Sequence, residues 1–399
     1  MNVIKFGGSS LASAESFKRA ADIVRREEKA VVVLSAIGKC SSSDEKITDI
    51  LIDYCLAVKN GDFCGALKKA KIVYEKFISI ADDLNATCDF YRKFFLFYDK
   101  LITFSRADFE YIVSRGEYYT CLLFCDYSKI DFVDPMNLIY FDKNGKADIP
   151  LISDKVKKIP ADIFVTCGFY GTDKNGEIKL FPRGGGDSTA AVLAAATKAE
   201  IFYDYTDVEG VYTASPEIFK AKETIGTMSY SQLYKMATHG ANVFFYEAIP
   251  YVAGKNIKLL ILDSFNANGE KTVVTDSGKN ERIKAFLIDK DLFKIEIAIS
   301  HYREKIGIIY YILEYFMLDK IVICDYYAER KKVVLIVKSY ASRVYETLEK
   351  VGVGCTVSRT NALTVMRSRR FSHFRKERKY YSSSLDEIKK KAERFSPRK

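Results

Sequence analysis

Histidine is scarce in this sequence. Only His239, His301 and His373 occur among 399 residues, far apart in the chain. A histidine-based metal centre or a His-dependent triad has little material to work with. The nine cysteines are odd in number and scattered, with no CxxC. Neither a disulfide framework nor a zinc site is expected, and a reducing cytosol is the expected compartment. No apolar run approaches the roughly 18 residues needed to span a bilayer. Met1 to Phe6 shows no basic region followed by an apolar stretch, so no secretory signal is expected and the location expected is cytoplasmic. Proline is absent before Pro135, which permits long helices in the first third of the chain.

What is present is the balance of a globular enzyme: 48% hydrophobic and 29% charged residues. That excludes disordered and collagenous classes. At 399 residues the chain exceeds one ordinary core, and about two to three domains are expected. The net charge of +10 is uneven, because residues 367–399 hold 13 Lys/Arg against 4 Asp/Glu. The body is therefore near neutral and the basic character belongs to a tail. A basic tail can hold nucleic acid or acidic lipid. Its plainer reading is the end of a solvated helix.

Val3–Phe6 is a short apolar run that ends in Gly7-Gly8-Ser9-Ser10. Helical spacing follows from Ala12 to Arg26, with Phe17, Ala20, Ala21 and Val24 on one face. Ala30–Ser35 is a strand buried on both faces. The three pieces make a βαβ unit. Residues 44–126 read as mostly helical. Strands are expected at Lys129–Val133, Ile163–Cys167, Ile201–Tyr205, Leu259–Asp263 and Thr272–Thr275. A hairpin turn is expected within Gly171–Lys179, and an Ala-rich helix over Asp187–Ala199. The sequence turns polar at Asp276–Arg282. Beyond it, Lys294–Ile299, Ile306–Phe316, Lys320–Cys324, Val333–Val337 and Ala341–Val351 read β-α-β-β-α, the order of a ferredoxin-like sandwich.

Three elements point to phosphate chemistry. Lys5 ends the first strand ahead of Gly7, Gly8 and Ser9, where glycines admit a phosphate and a helix start supplies N–H donors. Alone, this is also an ordinary βα turn, and it is neither a Walker A sequence nor GxGxxG. Pro182-Arg183-Gly184-Gly185-Gly186-Asp187-Ser188-Thr189 is a second Gly-rich loop before a helix, richer than an N-cap requires. Tyr205-Thr206-Asp207-Val208-Glu209-Gly210-Val211-Tyr212 follows a strand, where α/β sheets bind ligands. Two Gly-rich helix starts suit the two ends of a phosphoryl transfer, which needs positioning and charge neutralisation.

These residues resemble the aspartokinases, the aspartate-specific branch of the amino acid kinase family. The resemblance covers about residues 1–275. It rests on KFGGSSLA (5–12), SAIGK (35–39) with KITDILI (46–52), SRGEYYTCLLF (114–124), RGGGDSTA (183–190), YTDVEGVYT (205–213) and MSYSQLYKMATHGANV (228–243). It implies an α/β sandwich of the amino acid kinase type with a mainly parallel sheet, over residues 1–276. It further implies an α+β ferredoxin-like, ACT-like regulatory domain over 285–352, then an incomplete second such segment and basic tail over 353–399. The activity implied is ATP- and Mg2+-dependent phosphorylation of the L-aspartate side chain to 4-phospho-L-aspartate, on the route to lysine, threonine and methionine. Lys5 and Asp187 would be the catalytic pair. Thr48, Glu117 and Arg183 would hold aspartate, Glu117 on its ammonium and Arg183 on a carboxylate. Lys5, Gly7, Gly8, Ser9, Ser35, Thr206, Asp207 and Tyr212 would line the nucleotide. No protein metal ligand is expected. A homodimer or tetramer and a lysine or threonine effector are expected as partners; a membrane or nucleic acid is not.

The chain departs from that pattern at four places. Gly186 stands where the family has serine, Glu217 where a cation is expected, Asn242 where GAKV has lysine, and Phe245-Tyr246 where HP follows. These motivate a second reading, a weakened kinase homologue acting as an amino-acid sensor. A kinase of another small amino acid is a third. A nucleic-acid binder using 367–399, with Phe371, Phe374, Tyr380 and Tyr381 among the basic residues, is a fourth.

Overall fold

The computed structural model describes all residues except 42, 105–107, 182–183, 215–222, 242, 278–283, 299–311, 313–314, 317–320, 330–331, 339–343, 346, 349, 351–354, 369–373, 385, 388–389 and 391–399. The chain divides into two units. The first contains Met1–Val211, Thr224–Tyr234 and Asn242–Asn280, and the second Tyr212–Glu223, Lys235–Ala241 and Glu281–Lys399.

Up to residue 280 the elements run in chain order as follows: β1 (Asn2–Phe6), α1 (Ala14–Val24), β2 (Ala30–Leu34), α2 (Ile47–Lys59), α3 (Phe63–Asp83), α4 (Cys88–Ile102), α5 (Phe109–Ser128), β3 (Asp131–Phe132), α6 (Ile149–Val156), β4 (Ile163–Cys167), β5 (Tyr170–Thr172), β6 (Ile178–Leu180), α7 (Gly185–Thr197), β7 (Ile201–Thr206), β8 (Thr227–Ser229), α8 (Tyr230–Thr238), α9 (Ile249–Val252), β9 (Lys258–Asp263) and β10 (Lys271–Thr275). Eight strands form one sheet in the order β3-β4-β2-β1-β7-β9-β10-β8. From β3 to β9 every neighbouring pair is parallel. Only β10 and β8, at one edge, run the other way. This is the mainly parallel sheet expected.

The local reasons are plain. All five residues of β2 are fully buried, as a β-branched run between two helical layers requires. Ser13 caps α1, its Oγ accepting from the Ser16 amide at 3.3 Å. Asp62 caps α3 by accepting from the Gly65 amide at 2.8 Å. Each such cap is worth about 1 kcal/mol. Between α3, α4 and α5 the interior is aromatic: Phe77 and Phe94 ring centroids are 4.9 Å apart, and Phe97 and Tyr119 5.0 Å. Full burial of each such ring contributes about 1.5–3 kcal/mol. The 44–126 region is therefore four helices, as its spacing indicates. Helix α7 begins two residues before the expected Asp187 and ends at Thr197, where Lys198 turns left-handed at φ 51°.

The second unit holds a five-stranded sheet of order β12-β13-β11-β14-β15, from β11 (Lys284–Ala298), β12 (Val322–Glu329), β13 (Lys332–Lys338), β14 (Cys355–Ser368) and β15 (Phe374–Ser382). All its pairings are antiparallel. One face packs Phe293, Ile295, Ile297, Val333, Leu335 and Val337 against Ile312, Phe316, Val344 and Leu348. Two features differ from the sequence reading. Strand β11 starts at Lys284, ten residues before Lys294, with a bulge between Asp289 and Leu292. That bulge interrupts the alternation that marks a strand. Part of the basic tail, read as a solvated helix end, forms β15. The helix expected over Ile306–Phe316 lies mostly outside the described residues.

Candidate active site

Four parallel strands, β4, β2, β1 and β7, end side by side, and the loops beyond them carry the motif residues. Loops at the carboxyl ends of such strands are where α/β sheets bind ligands. Gly7 closes on β7 by donating its amide to the Tyr205 carbonyl at 2.9 Å. Ser35 donates its amide to the Phe6 carbonyl at 3.2 Å, and Gly168 to that of Leu34 at 2.9 Å. Two loops cross so closely that only glycine fits. The Gly38 amide donates to the Gly8 carbonyl at 2.9 Å, and a Cβ on Gly38 would overlap the Gly8 backbone. A Cβ on Gly168 would stand 2.7 Å from the Gly186 Cα.

Lys5 lies at the centre. It is buried, one residue from the end of β1. In the sheet register it faces Asp204 of β7. Its Nζ lies 2.7 Å from Asp187 Oδ1 and 2.8 Å from Asp204 Oδ1. Burial works against the ammonium, but the Asp187 and Asp204 carboxylates outweigh it and raise its pKa. Asp204 is fully buried. Burial pushes its pKa up, to about 6, with Lys5 opposing and Asp187 adding to the rise. Its Oδ2 has no hydrogen-bond partner among the described residues. Asp187 sits in the first turn of α7, and its Oδ2 accepts from the Phe245 amide at 2.9 Å. One cation is thus fixed between two carboxylates at the mouth of the sheet.

A second cluster is built where α5 meets α2. Gly116 lets the helices touch: a Cβ there would be 3.0 Å from Ile47 Cγ2 and 3.3 Å from Ala36 Cβ. Thr120 on α5 pins the loop after β2, accepting from the Ile37 amide at 3.2 Å. Glu117 is thereby buried beside Thr48, which donates its hydroxyl to Glu117 Oε1 at 3.2 Å. Burial drives the Glu117 pKa up to about 8, opposed by the backbone amide of Glu117, the Thr48 hydroxyl, the backbone amide of Ala36 and the Arg115 charge. Its Oε2 is buried with no hydrogen-bond partner among the described residues. Such a carboxylate is suited to receive a ligand's ammonium, because a buried acceptor left unsatisfied costs about 1–3 kcal/mol or more. Arg115 is buried as well, its guanidinium 4.6, 4.3 and 5.4 Å from the rings of Tyr111, Tyr118 and Tyr170.

Lys5, Gly7, Gly8, Ser9, Ser35 and Asp187 share the first cluster or its loops. Thr48 and Glu117 form the second. Thr206 ends β7 and meets Asp207, with its hydroxyl 3.3 Å from Asp207 Oδ1. Tyr212 is buried and belongs to the second unit. Arg183, Glu217 and Asn242 lie outside the described residues. Asp204, the Phe245 amide and the tyrosine surroundings of Arg115 are additions. An aspartate in the middle of the apolar run Ile201–Tyr205 was the available signal for Asp204, since a buried strand carboxylate needs a partner. At Gly186 a Cβ would lie 2.7 Å from the Ser35 hydroxyl. Ser35 thus occupies the space that a larger residue there would take.

The model of the amino acid kinase family matches residues 1–263. The chain belongs to the amino acid kinase family. Among curated relatives of this family member, aspartokinase 3 of Bacillus subtilis is 27% identical over 323 residues, covering 76% of this chain and 69% of that protein. The aspartokinase of Rickettsia felis is 25% identical over 316 residues, covering 73% and 66%. The chain thus spans about two thirds of the length of these relatives. Among solved structures, the aspartate kinase of Clostridium acetobutylicum superposes with a TM-score of 0.68 at 24% identity, covering 92% of this chain and 86% of that one. Aspartokinase III of E. coli, in complex with aspartate and ADP, gives a TM-score of 0.75 at 20% identity, covering 92% and 88%. These superpositions show that the chain has the fold of an amino acid kinase with a sheet-rich C-terminal part. Among the described residues no helix is long and apolar enough to cross a membrane.

Proposed function

We propose that this amino acid kinase is an aspartate kinase, transferring the γ-phosphoryl group of ATP to the side-chain carboxylate of L-aspartate. The observation that carries the reading is the pair of clusters, one holding a fixed cation and the other a buried carboxylate with a free oxygen. Sequence likeness to curated aspartokinases supports the choice of substrate. A side-chain carboxylate is already ionised, so no general base is needed. Its oxygen forms the new bond to the γ-phosphorus. The bond to the β–γ bridging oxygen breaks, and ADP leaves with that electron pair. Lys5 neutralises charge on the transferring group, and Asp187 and Asp204 keep its Nζ in place. Glu117, aided by Thr48, accepts the substrate ammonium. Arg183 is assigned the substrate carboxylate, and Gly7, Gly8, Ser9, Ser35, Thr206 and Asp207 the nucleotide side.

Among the described residues no three His, Cys, Asp or Glu are grouped to hold a metal ion. The magnesium of this proposal would be held mostly by substrate phosphates and water. When bound, it supplies further charge neutralisation at the phosphates. The division at residue 276, an effector role for 285–352 toward lysine or threonine, a homo-oligomeric state and a cytoplasmic location belong to the same proposal.

The test is ADP release from MgATP with L-aspartate, L-glutamate and N-acetyl-L-glutamate in parallel. Aspartate-dependent release, lost in Lys5→Ala, supports the assignment. Preference for the acylated substrate would overturn the role of Glu117, since an acylated nitrogen carries no positive charge. Binding of aspartate without turnover would favour the sensor reading.

A further inference from the structure

Helix α4 is apolar on two opposite faces. Phe90, Phe94, Phe97 and Leu101 are buried inward. On the other side Phe95, Leu96 and Ile102 stay 45%, 65% and 38% exposed. With Arg92, Tyr98 and Asp99 they line one shallow groove. Arg92, Phe95, Leu96, Asp99 and Ile102 follow the i, i+3, i+4, i+7 spacing of a helix-packing stripe. Phe95, Leu96 and Ile102 are exposed apolar side chains on a helix face that solvation alone would leave polar.

The stripe is also self-complementary. Arg92 and Asp99 are equidistant from the midpoint between Phe95 and Leu96, each about 5 Å along the axis at 1.5 Å per residue. A two-fold axis through that midpoint, with the helices antiparallel, sets each Arg92 at the height of the partner's Asp99. It also sets Phe95 against the partner's Leu96. This is the isologous contact of a two-fold dimer, in which one patch meets its own copy. Asp99 makes no ion pair among the described residues. Arg92 is held by Asp89 at 2.6 Å on the same helix, an exposed pair worth little and readily exchanged.

We propose that the outer face of α4 is a self-association surface whose occupant is α4 of a second copy of this chain, antiparallel about the Phe95–Leu96 midpoint. One helix stripe buries less than the about 800 Å2 per partner of a standard interface. The association is therefore weak and concentration-dependent.

Sedimentation velocity of the full chain over a concentration series tests this. The wild-type average mass should rise with concentration, and Leu96→Lys should remove that rise. Arg92→Asp and Asp99→Arg should each weaken association by about tenfold, because two ion pairs become two like-charge contacts. The double exchange Arg92→Asp with Asp99→Arg should restore it. All three positions are exposed, and unchanged thermal melting confirms folding. A wild-type mass that does not rise with concentration, a Leu96→Lys variant that associates like wild type, or a double exchange as weak as the single changes would each overturn the proposal.

Discussion

Glu117 makes a demanding prediction. Burial raises its pKa from 4.5 to about 8 in the free protein, so at neutral pH the carboxyl is protonated. An ammonium binds the ionised form, so substrate binding must expel this proton. Below pH 8 the apparent affinity for aspartate should therefore strengthen about tenfold per pH unit, and level off above it. The sign for folding is opposite to that of an ordinary salt-bridged carboxylate. The folded form holds the proton that the unfolded form has lost. Stability of the free protein thus falls as pH rises from about 4.5 to about 8, by up to about 5 kcal/mol at 1.36 kcal/mol per unit. Calorimetric titration with aspartate in buffers of different ionisation enthalpy counts the protons. Close to one proton should be released per aspartate at pH 7. In Glu117→Gln the release should vanish, the pH dependence should flatten, and affinity should drop about a hundredfold, as for loss of a buried charged partner. No proton release in wild type, or the same release in Glu117→Gln, would refute the reasoning.

Three further predictions follow from the packing. Lys5→Met leaves Asp187 and Asp204 facing each other unpaired; melting should show a loss of about 3–5 kcal/mol, and adding Asp204→Asn should recover part of it while turnover stays absent. Gly38→Ala drives a methyl into the Gly8 backbone, and urea titration should read a loss of about 1–3 kcal/mol or more. Lys76 on α3 straps the loop leading to α2, binding the Gly38 carbonyl at 3.1 Å, Asp44 Oδ1 at 2.8 Å and the Glu45 carbonyl at 2.6 Å. Lys76→Met should raise KM several-fold with a smaller change in kcat, as for a lost positioning contact, and steady-state kinetics would contradict the strap if both were unchanged.

Much of the fold was legible because its signals are local. The β-branched run Ala30–Leu34 and the mostly helical spacing of 44–126 needed no tertiary information. Lys5 and Asp187 were legible because each stands beside a Gly-rich loop that leads into a helix start. Asp204 was not, because its meaning depends on register: only when β1 lies beside β7 does Lys5 face it. Burial of Glu117 was hidden for a similar reason. A glutamate on a helix reads as solvated until Gly116 is seen to bring α5 against α2. The first half of β11 escaped because Asp289-Lys290-Asp291 breaks the alternation at the bulge. The outer face of α4 was not legible, since a helix with apolar residues on both sides does not disclose which side meets its own chain.

The central claim is that Lys5 promotes phosphoryl transfer onto the side chain of aspartate. The most direct test is trapping the product of MgATP and L-aspartate with hydroxylamine and identifying the hydroxamate. The account predicts the β-aspartyl hydroxamate, formed by wild type and lost in Lys5→Ala. No hydroxamate from folded wild-type protein, or equal product from the Lys5 variant, would contradict it.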